Sequence, residues 1–446
     1  MESKNLFDIA ALIGSGTCEC GKPHPIITEI TLVGSGAIAE TGQVARELGF
    51  TGRALVVADA NTWRIAGEQT VAALKAAGYE ADTFAFKEEQ IHTDEYAVGS
   101  IAMALKDDMG FLVAVGSGTV NDSCRFVAKR CNLPYLVVGT APSMDGYASA
   151  TSPILRGGFK STWHGVAPSA IIGDADILKD APSVMMAAGL GDVFGKFTAL
   201  LDWQMAASAT GEYHCEAVAG LMRRAVDACM AAAPGLAQRQ AAAAEGLMKG
   251  LVLAGVAMQM VNDSRPASGS EHHVAHFLEM LDLHRGRGAT LHGDKVGMSE
   301  LIMLRFYEKF FEPDRLITRP MKPEADRVAE MRASLGAFGD MLLAQDCSAV
   351  YRDASVRQRA MEAVSANWGY WQAEAQKLPS IRLAGEDGIR RNGGPVRPAE
   401  LGYSREDIVL ALRYAMELRD KYTILRLAHH AGLLDGLAEE VADEFC

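Results

Sequence analysis

One stretch of the chain, residues 111–153, contains a strand, a glycine turn, a helix and a second strand in succession. It opens with the apolar run FLVAV, which is typical of a strand buried on both faces. The turn Gly116-Ser117-Gly118-Thr119 follows, and a helical pattern leads to a second apolar run at residues 134–138. This order is half of a nucleotide-binding unit, because glycines let the backbone approach an anion and a helix start offers unpaired N–H groups.

The glycine turn matches neither common fingerprint, since it is not G-x-G-x-x-G and does not end in Gly-Lys-Ser/Thr. A bare Gly-Ser-Gly also occurs as a plain turn between a strand and a helix. The loop at residues 139–149 favours a binding site, because its short polar side chains lie just past the end of a strand, where ligands bind in open parallel sheets. These side chains are Thr140, Ser143, Asp145 and Ser149.

Size and charge restrict the class of protein. A chain of 446 residues exceeds one ordinary core and predicts two domains. A hydrophobic fraction of 49% is typical of a globular protein with an ample core. The formal net charge of -13 argues against nucleic acid and against an anionic membrane surface as partners.

The sequence predicts a cytoplasmic protein without membrane insertion. We recognise no secretory leader and expect no uninterrupted apolar stretch long enough to span a bilayer. The eight cysteines are scattered, as is usual in a reducing compartment. Cys18, Cys20 and His24 resemble part of a metal-binding turn, but without a clear fourth ligand we favour an exposed N-terminal turn.

The remaining pattern divides the chain into two parts. Short apolar runs alternate with helical segments from residue 29 onward, which predicts a Rossmann-like parallel sheet. From Pro182 the composition shifts to alanine, leucine and methionine at helical spacing. We therefore predict an α/β domain at residues 1–181 and an all-α domain at residues 182–446, and the residues considered next bear on NAD binding in the first domain and on metal and substrate binding in the second.

Asp59 stands at the end of the second predicted strand, where dinucleotide sites place a carboxylate for the adenosine ribose hydroxyls. A carboxylate there repels a 2′-phosphate and so favours NAD over NADP. Asp-Ala-Asn-Thr is equally good helix-capping sequence, and capping therefore stays open as an alternative.

The helical part supplies the groups that suit a metal ion. Asp192 lies in an apolar helical stretch, where a carboxylate is costly unless it binds a cation or pairs, with Lys196 as the structural alternative. His272 and His276 are four residues apart and share one helix face, and His292 begins another helix. One carboxylate and two or three imidazoles suit a divalent ion with an open position for substrate.

The start of the helix that carries His272 leads to two further expectations. Ser268 or Ser270 is expected to cap it. His273 is expected to point away from the site and to be exposed. A single histidine is normally a satisfied core or surface group, so the pair four residues apart is what indicates a site.

Four motifs in this order, GSGTVND, TAPSMDGYAS, AAGLGDVFGKF and RPASGSEHHVAH, closely resemble the sn-glycerol-1-phosphate dehydrogenases, especially the bacterial branch. That family lies in the superfamily of metal-dependent glycerol dehydrogenases and dehydroquinate synthases, and the resemblance covers residues 30–312. It implies a dehydroquinate synthase-like fold and NAD(P)-dependent reduction of dihydroxyacetone phosphate to sn-glycerol 1-phosphate. It also implies a homodimer and a role in phospholipid biosynthesis.

The resemblance assigns roles to the residues that match its motifs. Asp192, His272 and His292 match the metal ligands, and Asp192 is also placed at the substrate. The ion is zinc across the superfamily and nickel in the bacterial branch, and ligand types alone do not separate the two. His276 matches a substrate-contacting histidine and is expected to relay a proton, while Asp145 matches a substrate contact, with an Asx-turn as its alternative.

Cofactor contacts are implied in the same way. Those at the pyrophosphate are Gly116, Ser117, Gly118, Thr119 and Val120. Thr140 and Ser143 flank the nicotinamide half, and Ser149 is a further contact. The residue that binds the substrate phosphate stays open among Lys160, Lys196, Arg265 and Arg287.

Three other functions remain open. A glycerol or polyol dehydrogenase would take an uncharged substrate, whereas a lyase of the dehydroquinate synthase type would use NAD only transiently. A non-catalytic binding protein on the same scaffold would have a damaged ligand set. The sequence retains the carboxylate and the histidines, and it has few cations near them, which favours the dehydrogenase.

Overall fold

The computed structural model describes residues 18–88, 91–157, 159–288, 290–313, 315 and 319–446. The chain forms two compact units: the first comprises residues up to Val193 together with Gly220–Asp263, and the second comprises Phe194–Ala219 and Ser264–Cys446. Compactness does not test which segments fold by themselves. The division into residues 1–181 and 182–446 therefore stays a prediction.

The first unit is built on a six-stranded parallel sheet. Within the described residues, the strands are β1 (Ile30–Gly34), β2 (Arg53–Ala58), β3 (Ala81–Ala85), β4 (Met109–Gly116), β5 (Tyr135–Gly139), β6 (Thr151–Arg156), β7 (Phe159–His164) and β8 (Ala170–Asp174). The sheet has the order β1-β8-β5-β4-β2-β3, and all its neighbouring strands are parallel. β6 and β7 form a separate antiparallel pair.

The central strands are buried on both faces, as their continuous apolar runs predict. Leu112 and Val113 of β4 point to opposite faces of the sheet, yet neither side chain is exposed. The same holds for Val137 and Val138 of β5. The predicted Rossmann-like parallel sheet is thereby confirmed.

Helices cover the sheet and continue past it. They are α1 (Thr41–Glu47), α2 (Ala60–Thr62), α3 (Glu68–Ala76), α4 (Glu95–Ala104), α5 (Gly118–Cys131), α6 (Ala175–Leu178), α7 (Ser183–Phe194), α8 (Lys196–Thr210), α9 (Glu216–Ala237) and α10 (Ala241–Val261). A π-helical turn, Trp63–Gly67, joins α2 to α3. After α8, which belongs to the second unit, α10 returns to the first unit and packs on the 3₁₀ turn Gly146–Ala148.

The described part of the second unit is helical, as predicted. Its further helices are α11 (Ser270–His284), α12 (His292–Phe310), α13 (Glu324–Leu335), α14 (Ala337–Gln345), α15 (Ala354–Ala366), α16 (Trp368–Ala375), α17 (Leu378–Arg391), α18 (Arg405–Tyr414), α19 (Ile424–His430) and α20 (Leu434–Phe445). α12 packs against α11, α17 and α20. These contacts bury both faces of α12, so that side chains such as Leu301 and Met303 are fully inside.

Among the described residues, two helical stretches are long and apolar enough to cross a bilayer, Ser183–Thr210 and Ala241–Val261, which corrects the expectation that no stretch reaches that length. Of their most apolar windows, 78% and 61% are buried inside the structure. A core helix passes the same test of length and hydropathy, because burial in protein selects the same side chains as burial in lipid.

Glu417 is the centre of a buried ion-pair cluster in the second unit. Its carboxylate accepts hydrogen bonds from Arg327 at 2.6 Å and from Arg426 at 3.0 Å, and Ser348 donates to its other oxygen. Burial raises the pKa of Glu417, but the charges of Arg426 and Arg327 outweigh burial and lower it to about 2. The cluster therefore lies entirely within the second unit.

We expect Glu417→Gln to lower the free energy of unfolding at pH 7 by about 3 kcal/mol, because two guanidinium groups then lack their buried counter-charge. The folded-state pKa lies below the unfolded value, so this contribution is complete above about pH 5 and is lost as pH falls toward 2. Urea unfolding at pH 7 and pH 3 measures both effects. Glu330→Gln, which removes an exposed pair with Lys322, is the control and should cost under about 1 kcal/mol.

Candidate active site

Three predicted site segments follow neighbouring strands and therefore share one edge of the sheet. Asp59 follows β2, the glycine turn ends β4, and Thr140 follows β5. In register, Ala58 faces Val115, and Gly116 faces Gly139. Because all these strands are parallel, their carboxyl ends lie side by side, where open α/β sheets bind ligands.

The glycine turn leads directly into a helix of fourteen residues, α5. A Cβ atom on Gly116 would lie 2.9 Å from the Cβ of Val120, so the strand meets the helix too closely for any side chain there. Ser117 is the N-cap and Gly118 is the first helical residue. The N–H groups of this first turn have no intrahelical acceptors and suit a pyrophosphate.

Asp59 caps a helix, as the alternative interpretation expects. Its carboxylate accepts hydrogen bonds from the N–H groups of Asn61 at 2.9 Å and Thr62 at 2.8 Å, and Thr62 completes a capping box. The cap holds the carboxylate at the end of β2. The role of Asp59 toward a ribose stays a prediction.

The backbone of the loop after β5 accepts hydrogen bonds from buried side chains that the sequence analysis did not predict. Arg125 of α5, fully buried, donates to the carbonyl oxygens of Tyr147 at 3.2 Å and Thr151 at 3.0 Å. Asn121 donates to the carbonyl of Tyr147 at 3.4 Å. No short-range pattern announces these contacts, because they join residues more than twenty positions apart.

The predicted polar residues of this loop occupy different environments. Thr140 and Ser143 are buried, and the N–H of Thr140 donates to the Gly116 carbonyl at 3.3 Å. Ser149 makes a local turn, since its Oγ accepts from the N–H of Thr151 at 3.0 Å. Their roles as cofactor contacts stay predictions.

Asp145 and Asp192, both predicted site residues of the first unit, are brought together. The N–H of Asp145 donates to Oδ2 of Asp192 at 2.9 Å, and Asp192 is fully buried. Gly255 of α10 makes room for this arrangement, because a Cβ there would lie 3.0 Å from the Asp145 carbonyl oxygen. One carboxylate oxygen of Asp192 thus positions the loop.

Three histidines converge in the second unit. His272 and His276 lie one turn apart on α11, and His292 is the first residue of α12. The centroid of the His272 ring is 5.8 Å from that of His276 and 5.4 Å from that of His292, and the remaining pair is 5.2 Å apart. The i,i+4 spacing predicted the first pair, whereas the packing of α11 against α12 adds the third ring.

Each of these imidazoles is oriented by a carboxylate at Nδ1. Glu271 lies 2.6 Å from Nδ1 of His272. Glu279 serves two rings, at 3.1 Å from His276 and 2.9 Å from His292. Such carboxylates fix the tautomer with Nδ1 protonated, which leaves each Nε2 for a ligand or a proton.

The environment of His272 and His276 keeps these two rings neutral. Burial lowers the pKa of His272 well below its ordinary value and lowers that of His276 to about 3. A metal ion requires neutral imidazoles with an exposed lone pair. The set of three oriented rings therefore fits the divalent ion that the family implies, and His276, Glu279 and His292 also have donor atoms within 4.8 Å of one another.

The start of α11 is held differently from the sequence expectation. Gly269 rather than Ser268 or Ser270 is the N-cap. The buried carboxylate of Asp202 accepts the Ser270 N–H at 2.6 Å and also the Tyr307 hydroxyl at 2.7 Å. A distant carboxylate therefore replaces the local serine cap.

His273 also departs from its expected exposure, because it is fully buried. Among the described residues, neither of its ring nitrogens has a hydrogen-bond partner. Burial lowers its pKa well below the ordinary value, so the ring is held neutral. The helix face opposite the site packs on the interior of the unit instead of facing water.

The cations considered for a substrate phosphate are largely engaged. Arg265 makes two hydrogen bonds to Glu212 at 2.5 Å, Arg287 binds Asp407 at 3.1 Å, and Lys196 is fully buried. The side chain of Lys160 lies outside the described residues. After burial, the charge of Lys196 is the largest contribution to lowering the pKa of His272. The charge of Arg419 contributes to lowering the pKa of His272, His273 and His276, so Arg419 is a cation near the histidines that the sequence did not single out.

Comparisons with known proteins agree with this architecture. A family model described as iron-containing alcohol dehydrogenase matches residues 32–182. The alcohol dehydrogenase from Oenococcus oeni, a solved structure, aligns with a TM-score of 0.61 over 95% of this chain and 100% of its own at 16% identity, which shows the fold alone. The dehydroquinate synthase-like fold class is confirmed.

The amino-acid sequence of the chain is also similar to those of curated proteins. The chain is 33% identical to the glycerol-1-phosphate dehydrogenase (NAD(P)+) of Bacillus licheniformis over 426 residues, 95% of this chain and 94% of the relative. It is 33% identical to that of Bacillus subtilis over 376 residues, 84% of each chain. With this identity over nearly its whole length, the chain belongs to the glycerol-1-phosphate dehydrogenase family of oxidoreductases.

Proposed function

We propose that the chain catalyses the reversible, NAD(P)-dependent reduction of dihydroxyacetone phosphate to sn-glycerol 1-phosphate. The observation that carries this proposal is the convergence of His272, His276 and His292, each held at Nδ1 by a carboxylate. Relatives named for this activity, which share a third of their residues with the chain, support the phosphorylated substrate.

We propose that Asp192, His272 and His292 hold one divalent ion, zinc or nickel. A carboxylate and neutral imidazoles are ligands that both ions accept. The full burial of Asp192 supports its participation, because a buried carboxylate is costly unless it pairs or binds a cation. When bound, such an ion acts as a Lewis acid toward the substrate's reacting oxygen.

His276 is the residue we assign to proton transfer. Its ring is a quarter exposed, and its Nδ1 faces Glu279, so Nε2 is the atom that exchanges a proton with substrate or water. In the oxidising direction, Nε2 accepts the proton of the substrate hydroxyl, and Glu279 stabilises the imidazolium that forms. In the reducing direction, the same atom returns the proton to the product oxygen.

Asp145 and Asp192 position the substrate in this proposal. The hydrogen bond from the Asp145 N–H to Asp192 fixes the loop, and the Asp145 carboxylate then orients a substrate hydroxyl. Arg419, whose charge contributes to lowering the pKa of His272 and His276, is the cation we assign to the substrate phosphate. A guanidinium suits this role because it binds phosphate oxygens through two parallel N–H groups.

The dinucleotide occupies the carboxyl edge of the sheet. We assign the pyrophosphate to the N–H groups of Gly116–Val120 at the start of α5, the nicotinamide half to Thr140 and Ser143, and a further contact to Ser149. This arrangement puts the hydride donor beside the loop that carries Asp145. The resemblance to the bacterial branch supports a cytoplasmic homodimer whose product enters phospholipid biosynthesis.

Asp59 separates the two nicotinamide cofactors in this proposal. We expect Asp59→Ser to raise kcat/KM for NADPH relative to NADH by about tenfold or more, because removing the charge relieves repulsion of the 2′-phosphate while serine still caps α2. Asp59→Ala removes charge and cap together and should add a stability loss of about 1 kcal/mol. An unchanged cofactor ratio in both variants would leave Asp59 with its capping role alone.

A substrate comparison tests the proposed function directly. We expect NADH oxidation with dihydroxyacetone phosphate, much slower oxidation with dihydroxyacetone, and a product that is glycerol 1-phosphate by enzymatic chirality assay. Preference for the unphosphorylated ketone would favour a polyol dehydrogenase. Absence of net NADH oxidation with either ketone, together with phosphate release from a phosphorylated seven-carbon sugar acid, would favour a lyase.

A further inference from the structure

The turn before β1 brings three metal-binding atoms together, apart from the histidines of the second unit. The sulfur atoms of Cys18 and Cys20 and a ring nitrogen of His24 lie within 4.8 Å of one another. Sγ of Cys20 is 3.3 Å from Nε2 of His24. A tetrahedral zinc ion with Zn–S of about 2.3 Å and Zn–N of about 2.0 Å places neighbouring donors about 3.5 Å apart, which matches this separation.

We propose that Cys18, Cys20 and His24 bind a structural zinc ion, distinct from the ion of the active site. Two thiolates and one imidazole are the soft and borderline ligands that select zinc over magnesium, calcium or manganese. The C-x-C-x₃-H spacing lets one turn of chain supply all three.

The His24 ring is oriented as a metal ligand. Its Nδ1 lies 2.8 Å from the carbonyl oxygen of Met260. That carbonyl belongs to the last turn of α10, where carbonyl groups have no intrahelical donors. A carbonyl accepts only, so Nδ1 carries the proton and Nε2 directs its lone pair toward the sulfur of Cys20.

The backbone of the turn favours a thiolate at Cys20. The N–H of Lys22 points at its sulfur at 3.5 Å, and the N–H of Gly21 closes the turn on the Cys18 carbonyl at 2.8 Å. Gly21 has a φ of +75°, which a residue with a side chain adopts only with strain. N–H groups directed at a sulfur stabilise its negative charge, the form that binds metal.

Two of the three donor side chains in this segment are buried. Cys18 and His24 are 9% and 8% exposed, whereas Glu19, Lys22 and Pro23 between them are exposed. The turn itself is exposed, as expected, but the two donors at its ends are buried. From Cys18 to Ile27, only the side chains of Cys18 and His24 are buried, so apolar packing contributes little to the fold of this segment. A bound ion would supply the missing stabilisation.

Beyond His24, the side chain of Gln259 in α10 holds the segment in place. Oε1 of Gln259 in α10 accepts the N–H groups of Ile27 at 2.8 Å and Thr28 at 3.3 Å. An ion bound at His24 would therefore fix the turn to the same end of α10. The position suits a structural ion, which holds an irregular segment on a helix.

Metal counting tests the proposal. We expect purified protein to contain zinc in addition to its active-site ion, and Cys18→Ser/Cys20→Ser to lose that zinc while kcat/KM for dihydroxyacetone phosphate stays unchanged. Cys131→Ser/Cys446→Ser, which changes two exposed cysteines, is the matched control and should keep it. His272→Ala should lose the active-site ion and keep the zinc, which separates this proposal from the proposed function.

A labelling experiment on the unaltered chain avoids dependence on the variants. Thiol alkylation of the native protein, followed by peptide mass spectrometry, should modify Cys18 and Cys20 only after a zinc chelator is added. Equal labelling with and without chelator, a Cys18–Cys20 disulfide, or zinc content unaffected by the double variant would each overturn the proposal.

Discussion

Replacing His272 by alanine is expected to remove the active-site metal ion and to lower kcat/KM for dihydroxyacetone phosphate by about a thousandfold or more, on the order of 4 kcal/mol in the transition state. Among the three converging imidazoles, the substitution removes the most buried one, at 5% exposed. It also leaves Glu271 without the ring that lies 2.6 Å away. Stopped-flow or steady-state NADH oxidation, together with metal analysis of the same preparation, measures both losses.

Two variants on the same helix calibrate that result. His284→Ala changes an exposed histidine at the end of α11 and should leave metal content and rate unaltered. Glu279→Gln keeps all three histidines but leaves either His276 or His292 without its acceptor, so metal affinity should fall by about 10- to 100-fold. Normal metal content in His272→Ala would contradict the assignment of His272 as a ligand.

Gly189→Ala is expected to lower kcat/KM by about a hundredfold, although the residue touches neither substrate nor metal in the proposal. A Cβ atom on Gly189 would lie 1.9 Å from the Pro142 carbonyl oxygen. The loop must therefore move, and with it Asp145, whose N–H binds Asp192. We also expect unfolding to become easier by about 1–3 kcal/mol, because the insertion overpacks a closed contact.

The sign of that stability change is what makes the test specific. Glycine to alanine inside a helix ordinarily stabilises by about 1 kcal/mol. Gly246→Ala is the control, because a Cβ added at this position in the interior of α10 would lie 3.7 Å from the Cβ of Ala232, an ordinary contact distance. This substitution should be neutral or stabilising and should leave kcat/KM unchanged. Equal behaviour of the two variants in thermal unfolding and in kinetics would contradict a role for the contact between α7 and the loop.

The parts of the fold that local pattern determines were predictable from the sequence. The run from Phe111 to Val115 and the glycine turn after it specify a buried strand entering a helix, and the structure has both. The i,i+4 spacing of His272 and His276 likewise placed two rings on one face of α11. Such features depend on residues a few positions apart, so their period is visible in the sequence.

The supports of the site were not predictable, because they come from distant segments. Glu279 orients His292 across thirteen residues, and Asp202 holds the start of α11 from sixty-eight residues away. Local capping rules therefore predicted a serine cap, whereas the carboxylate of Asp202 accepts the N–H at the start of the helix. The burial of His273 and Cys18 was not predicted for the same reason, because only tertiary packing determines which polar side chains lie inside the protein.

Chelation followed by metal re-addition tests the central claim most directly. NADH-dependent reduction of dihydroxyacetone phosphate should fall to background after treatment with a chelator and dialysis, and zinc or nickel ions added back should restore it in proportion to the bound metal. His272→Ala treated in parallel should not recover. Full activity in protein that metal analysis finds free of divalent ions would contradict the account.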